Sequence, residues 1–247
     1  MAAWTLWPAV SSTINGSSRI SLEIDRDQPP QVVASAEVIN RSMTVIARRL
    51  REFRVTNWTL RAEGNDRIAI DLPGTKDLEA LTVARWVGVS AKLDFRLVNT
   101  TVSLSPQEVI QGRVPTDSEV LYEQEGGQRV PILVYKQTLV AGEDLVDAQP
   151  SFDARTGEPD VSFRFNLRGG QKFAQVTSEN VGRLFAIVLD GKVISAPRIV
   201  GPITGGSGQI TGNFTVEQAN NLAVLLRVGT LPVKFKSVKV KWTAPFG

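Results

Sequence analysis

The sequence predicts an α+β chain, and three observations carry that reading. Apolar residues recur at every second position in some stretches and at steps of three and four in others. Alternating stretches lie both before and after the helical ones, so strands and helices share one mixed fold. Between residues 99 and 161 the regularity weakens, with Pro106, Pro115, Pro131, Pro150 and Pro159 interrupting the chain, so two patterned regions flank a less regular one.

Ile20, Leu22 and Ile24 alternate with polar neighbours, the period of a half-buried strand that Pro29-Pro30 ends. Ile39, Met43, Ile46, Leu50 and Phe53 follow at steps of 4, 3, 4 and 3, one apolar stripe on a helix whose other face carries Arg41, Arg48, Arg49 and Arg51. Thr56, Trp58 and Leu60 predict a second strand and Ile68, Ile70 and Leu72 a third, with Gly64-Asn65 as turn chemistry between them. Pro73-Gly74 closes this unit. Thr75 is the expected N-cap of a helix reaching Trp86, and Asp77 and Glu79 fall where the positive end of its dipole favours them. Leu93, Phe95 and Leu97 make a fourth strand. The order β-α-β-β-α-β closes as a four-stranded antiparallel sheet with both helices on one face, a ferredoxin-like base. Such a superfold does not define an activity.

Beyond the proline-interrupted stretch, where Gly126-Gly127 marks a turn, Val161, Phe163 and Phe165 alternate and a helix over 171–179 follows. Runs at 184–189 and 192–195 flank Asp190-Gly191, a two-residue hairpin loop in which both positions need positive φ. Pro197 and Pro202 bracket a loop leading into Thr204-Gly205-Gly206-Ser207-Gly208, a short strand at 209–211, and a helix over 216–227 that Gly229 ends. In the last strand Val233 and Phe235 are apolar at odd positions but Val238, Val240 and Trp242 at even ones, so the facing switches near Ser237 through a bulge. Returned to the edge of the first sheet, this strand completes the base. The expected parts are a leader or membrane-proximal stub at 1–18, a base at 19–98 plus 231–243, and an inserted α+β head at 99–230.

A length of 247 residues allows one large domain or two small ones, and 42% hydrophobic with 21% charged residues is a globular composition. The absence of cysteine and histidine removes disulfides, thiol nucleophiles, Cys/His metal sites and every His-dependent triad. With 28 basic against 25 acidic residues the net charge is +3, too small an excess to argue for nucleic acid. The longest uncharged run, residues 1–18, is broken by Pro8 and by polar residues from Ser11, so no segment reads as a bilayer span. Trp4 and Trp7 in that run suit a membrane–water boundary, and a leader packed on the domain is the alternative.

The glycine-rich loop at 204–208 lacks a following Gly-Lys-Ser/Thr and leads into a strand, so it reads as a connection and not as a phosphate cradle. Asp66, Asp71, Asp94, Asp144 and Asp190 lie at expected strand ends or turns. Two of the carboxylates converging would make a hydrolase, which spacing alone cannot show. Arg48, Arg49, Arg51, Arg54 and Arg61, with Lys234, Lys236, Lys239 and Lys241, could meet lipid head groups or nucleic acid, or simply form solvated faces.

Several strings then resemble a known family. Asp66-Arg67-Ile68 through Leu72-Pro73-Gly74 and Ala91-Lys92-Leu93-Asp94-Phe95-Arg96 resemble the D-R-I…L-P-G and A-x-L-E-F-R segments of the SecD family of bacterial protein-export subunits. Leu139 to Leu145 resembles its L-T-G-x-x-L. Asn180-Val181-Gly182-Arg183, Ala186 to Gly191 and Ser195-Ala196-Pro197 resemble its N-x-G…A-I-V-L-D-G…S-A-P. Ile203-Thr204-Gly205-Gly206, Ile210-Thr211-Gly212 and Leu226 to Pro232 follow in the family's order. Two segments depart from it. The family's G-L-D-L-x-G-G falls on residues 11–17, and its G-P-x-L/I-G on Ala244-Pro245-Phe246-Gly247.

The resemblance implies the large extracytoplasmic domain of SecD, a base near the membrane with an inserted head. It also implies SecF and the SecYEG channel as partners, an unfolded preprotein as substrate, and proton-motive-force-driven export through membrane spans that this chain lacks. The expected function is non-enzymatic holding of emerging polypeptide by a head that moves on its base. No cofactor or metal is expected. The readings from other classes are a carboxylate-dependent extracytoplasmic hydrolase and a lipid- or nucleic-acid-binding adaptor. Ile203, Thr204, Gly205, Gly206 and Ile210 are the expected polypeptide contact; Asn99, Thr100, Thr101, Thr230, Leu231 and Pro232 are the expected hinge.

Overall fold

The structure, a computed structural model, describes residues 16–27, 34–102, 107, 111, 113–125 and 128–243. Most of the leader, Pro29-Pro30, Pro106, Gly126-Gly127 and Ala244-Pro245-Phe246-Gly247 lie outside the described residues. The elements run β1 (Ser17–Ile24), α1 (Ala36–Glu52), β2 (Thr59–Glu63), β3 (Arg67–Pro73), α2 (Asp77–Val87) and β4 (Leu93–Leu97). Next come β5 (Ser118–Glu125), β6 (Gln128–Tyr135), β7 (Val140–Ala141), a 3-10 turn (Gly142–Asp144), β8 (Leu145–Phe152) and β9 (Pro159–Phe165). Last are α3 (Leu167–Glu179), β10 (Phe185–Leu189), β11 (Lys192–Ser195), β12 (Ser207–Ile210), α4 (Val216–Val228) and β13 (Phe235–Thr243). The chain divides into two compact units, Met1–Ser90 with Leu231–Gly247, and Ala91–Thr230.

In the first unit an antiparallel sheet has the order β13-β1-β3-β2. Its register sets Ile20 opposite both Val240 and Ile70, so alternate residues of neighbouring strands share one face. That face buries Ile20, Leu22, Ile68, Ile70 and Leu72 against Ile39, Ile46 and Leu50 of α1 and Ala80, Val83, Ala84 and Val87 of α2. Glu23 pairs with Ser237 but Ile24 with Phe235, so the β13 register slips at Lys236, beside the position where the apolar pattern changes face.

Four expectations are corrected here. Leu93–Leu97 does not close the first sheet: it pairs with β10 in the second unit, and β13 holds the place beside β1. Residues 93–95 are all buried, so this strand is covered on both faces and its alternation does not say which sheet receives it. The second strand starts at Thr59 and not at Thr56, because Arg54 and Asn57 both take φ of 55° in a turn. The N-cap of α2 is Lys76, without a side-chain bond, and the Thr75 carbonyl accepts from the Ser18 hydroxyl. Arg49 is not on a solvent face but fully buried.

The second unit contains a six-stranded sheet, β6-β5-β11-β10-β4-β7, and a three-stranded one, β12-β9-β8. Its core is built on Phe95 of β4, whose ring centroid lies 5.6 Å from Phe163, 5.7 Å from Phe165, 5.9 Å from Phe173 and 5.7 Å from Phe185. Phe95 thereby joins both sheets and α3, at contact distances that favour tilted and edge-on rings. Ala219, Leu222, Ala223 and Leu226 of α4 complete this core. Among the described residues, the stretch between 99 and 161 holds β5 to β8 and the start of β9, with Pro131 on β6 and Pro150 on β8. Both strands lie at sheet edges, where a missing N–H is tolerated.

Candidate functional site

The site is organised around α3. Asn166 caps its start, its side chain accepting from the Gly169 N–H at 2.8 Å. Asp144, at the end of the 3-10 turn, receives the Asn166 amide at 3.2 Å and the guanidinium of Arg168 at 3.0 Å. The Arg168 hydrogen bonds hold the Asp144 carboxyl below its ordinary 3.8, against the upward pull of burial. A Cβ at Gly169 would lie 2.5 Å from the Asp144 Cβ, and one at Gly142 would lie 2.6 Å from the Leu93 Cβ. These glycines therefore serve close packing of the helix start and of the 3-10 turn. The helix expected over 171–179 begins earlier, at Leu167, so Gly169 and Gly170 lie in its first turn.

Residues 197–206 run along α3 in the opposite direction. At its C-terminal end the Gly182 N–H donates to the Ile199 carbonyl at 2.8 Å, and the Ile199 N–H to the Arg183 carbonyl at 2.9 Å. In its last turn, the Thr177 hydroxyl accepts from the Ile203 N–H at 2.9 Å. At its N-terminal end the backbone passes so close that a Cβ on Gly206 would meet the Gly170 Cα at 3.3 Å. Pinned at three points, the loop turns its remaining side chains outward. Val200 is 92% exposed, Val181 on the adjoining segment 50%, and Pro202, Thr204 and Gly205 are exposed as well. Exposed apolar side chains clustered on an ordered loop point to a contact surface.

The expected contact residues divide. Thr204 and Gly205 are open to solvent, and Ile203 is half-buried against the core. Gly206 is buried at φ 65° with its carbonyl bonded to the Phe165 N–H at 2.9 Å. Ile210 is fully buried and is corrected to a core residue, because β12 pairs it with Val161 on the core face of β9. Val181 and Val200 were missed. Each was read only as part of, or between, family-like strings, and no period distinguishes an exposed valine in a loop.

The expected hinge divides too. Thr230 and Leu231 stand at one passage between the units, but Asn99 is buried inside the second, donating from its side chain to the Ser118 hydroxyl at 3.0 Å. The other passage is at Ser90 and Ala91, because β4 belongs to the second unit.

Each aspartate considered for acid–base chemistry has a structural partner. Asp66 pairs with Arg26, Asp71 with Arg19 and Arg61, Asp94 with Arg96, and Asp144 with Arg168. Asp190 accepts the N–H groups of Ala91 and Lys92, each at 2.9 Å. In the arginine stretch, Arg51 lies over the Trp58 ring at 5.8 Å, Arg61 pairs with Asp71 at 3.0 Å, and Arg49 is buried.

Comparison with known proteins finds two family models along the chain, the first ending at residue 100, beyond the unit boundary at Ser90 and Ala91. A family model for the SecDF P1 head subdomain matches residues 118–233, and one for the N-terminal part of the P1 domain of protein translocase subunit SecDF matches residues 39–100. The protein translocase subunit SecD of Magnetococcus marinus is 38% identical over 212 residues, which cover 84% of this chain and 39% of that protein. That of Acidaminococcus fermentans is 34% identical over 232 residues, covering 94% of this chain and 46% of that protein. The chain thus spans less than half the length of these curated relatives. A crystal structure of SecDF in its super-membrane-facing form superposes with a TM-score of 0.72 at 31% identity, over 93% of this chain and 30% of that one. A structure of SecDF as a membrane component that enhances protein export gives 0.67 at 30% identity, over 90% of this chain and 99% of that one.

The class these matches define is the extracytoplasmic domain of a membrane-bound translocase subunit. The chain belongs to the SecD family of protein translocase subunits, as its periplasmic P1 domain. Among the described residues no helix is long and apolar enough to cross a membrane.

Proposed function

We propose that this domain holds emerging unfolded polypeptide on the loop surface around Val181 and Val200, and moves to assist proton-motive-force-driven export. Unfolded chains display apolar side chains and unpaired backbone, so a small apolar surface binds many sequences weakly and releases them. The observation that carries this reading is the exposure of Val200, 92%, on a loop whose backbone is pinned at both ends of α3. A pinned loop pays little ordering cost on binding.

In this reading the first unit is a ferredoxin-like base and the second an inserted head. The hinge lies at Thr230, Leu231 and Pro232 and at Ser90 and Ala91, replacing the stretch Asn99, Thr100 and Thr101. SecF and the SecYEG channel are the partners, and the work is mechanical and not enzymatic. The engagement of all five aspartates with cations or backbone N–H groups supports the non-enzymatic reading.

The test is a photo-crosslinking residue placed at Val200 and, separately, at Lys192 on the β10–β11 hairpin. With an unfolded, export-competent polypeptide, adducts are expected at 200 and not at 192. Equal yields at both positions, or none at either, would overturn the proposal.

A further inference from the structure

The two edges of the β12-β9-β8 sheet differ in what their backbones offer. The Phe165 N–H donates to the Gly206 carbonyl at 2.9 Å, which fixes the phase of the antiparallel ladder. In that phase Gly208–Phe163 and Ile210–Val161 exchange hydrogen bonds, while Ser207 and Gln209 direct their N–H and C=O groups away from β9. By the same alternation β9 uses Asp160, Ser162 and Arg164 toward β8, leaving Ala148, Pro150 and Phe152 on the outer edge of β8.

That β8 edge is closed. Pro150 has no N–H, and the Ala148 carbonyl accepts from the Arg227 guanidinium at 3.0 Å. Proline and charge on a strand edge are the usual means of preventing another strand from pairing there. The β12 edge has neither. Ser207 and Gln209 are exposed, and among the described residues neither has a backbone partner on the outer side. Gly205, Gly206 and Gly208 place no side chain over the approach. A Cβ on Gly205 would meet only the Ser207 hydroxyl, at 3.8 Å.

We infer that the outer edge of β12, at Ser207 and Gln209, takes up an extended segment of unfolded polypeptide as an added strand. The reading rests on the holding function proposed above and names how the substrate is held. Unpaired, alternating N–H and C=O groups are complementary to the backbone of another extended chain, and backbone pairing is indifferent to side-chain identity. The edge continues directly from the pinned loop carrying Val200 and Thr204, so one guest segment can lie across the loop and along the strand. Only two residues face outward, which keeps the added strand short and its release easy.

The test uses the whole chain and two probes, an unfolded export-competent polypeptide and a Val-Thr repeat peptide with lysine ends. Gln209→Pro removes an outward N–H without touching the ladder to β9, and proline is tolerated at such positions. Binding of both probes is expected to weaken roughly 3- to 10-fold, the worth of one net backbone hydrogen bond, with the melting temperature unchanged. On the unaltered protein, N-methylation of alternate peptide residues is expected to abolish binding in one phase and spare it in the other. Bound peptide is expected to slow amide exchange at Ser207 and Gln209 and not at Gly208 or Ile210, already bonded to β9.

If the polypeptide binds but neither Gln209→Pro nor the methylation phase alters it, the edge site is overturned and the holding function stands. If the unaltered protein binds no unfolded chain, the holding function falls and the edge site with it. Should Gln209→Pro fail to fold, the methylation phases and amide exchange still decide between these outcomes.

Discussion

The guanidinium of Arg49, on α1, donates to the carbonyl of Val87 at 3.0 Å, at the C-terminal end of α2. It also donates to the Val89 carbonyl and is fully buried. The last carbonyls of a helix lack intrahelical partners and carry partial negative charge, so a buried cation there both caps the helix and is neutralised by it. We expect Arg49→Met to lower the unfolding free energy by about 3 kcal/mol, since it strands buried carbonyls. Arg49→Lys should recover only part, an ammonium lacking the guanidinium's fork. Urea denaturation followed by tryptophan fluorescence measures both, and a loss of under about 1 kcal/mol in Arg49→Met would contradict the capping role.

Arg49 also marks where the sequence stops being legible. Its charge placed it on the polar face of a correctly periodic helix, because the carbonyls that receive it belong to an element far along the chain. The apolar alternation of Ile20, Leu22, Ile68, Ile70 and Leu72 was readable because one face is buried and the other is not. Phe95 was readable as a strand residue, but pairing between β4 and β10 is non-local and leaves no periodic trace. Pro131 and Pro150 concealed two strands by resembling breaks. In the candidate site, the glycine-rich loop stood out by composition, whereas the exposure of Val200 depends on three tertiary hydrogen bonds of its loop.

Asp144 and Arg168 give a pH dependence. The folded-state carboxyl titrates below its ordinary 3.8, so its contribution to stability is complete above that value and is lost as pH falls through the lower folded one. Arg168→Gln should therefore be less stable than the unaltered chain above about pH 4, with the difference closing as the medium becomes more acidic. Denaturant midpoints at a series of pH values check this. A difference that stayed constant down to the lowest pH would assign the effect to something other than Asp144.

Asp190 takes φ 49° and Gly191 φ 79°, the two positive values of a tight hairpin, and the Asp190 carboxylate holds the N–H groups of Ala91 and Lys92. Asp190→Ala is expected to cost about 1–2 kcal/mol by removing both hydrogen bonds. Asp190→Asn, which keeps an acceptor and tolerates positive φ, should cost less. Amide exchange at Ala91 and Lys92 should accelerate in the first variant and less in the second.

Val200 and Phe95 should separate binding from folding. Val200→Ser is expected to leave stability within about 0.5 kcal/mol, as for other exposed positions, and to weaken polypeptide binding, more so combined with Val181→Ser. Phe95→Ala, emptying the centre of the aromatic core, should cost about 3–5 kcal/mol. Thermal melts paired with binding titrations show whether the two effects part in this way.

The proposed grip on unfolded chain through apolar and backbone contacts is checked by titrating the domain with an unfolded, export-competent polypeptide at low and at high salt. Binding is expected at both, with little change in affinity as ionic strength rises. Binding that collapses in salt would indicate an electrostatic adaptor, and no binding at either salt would contradict the gripping role altogether.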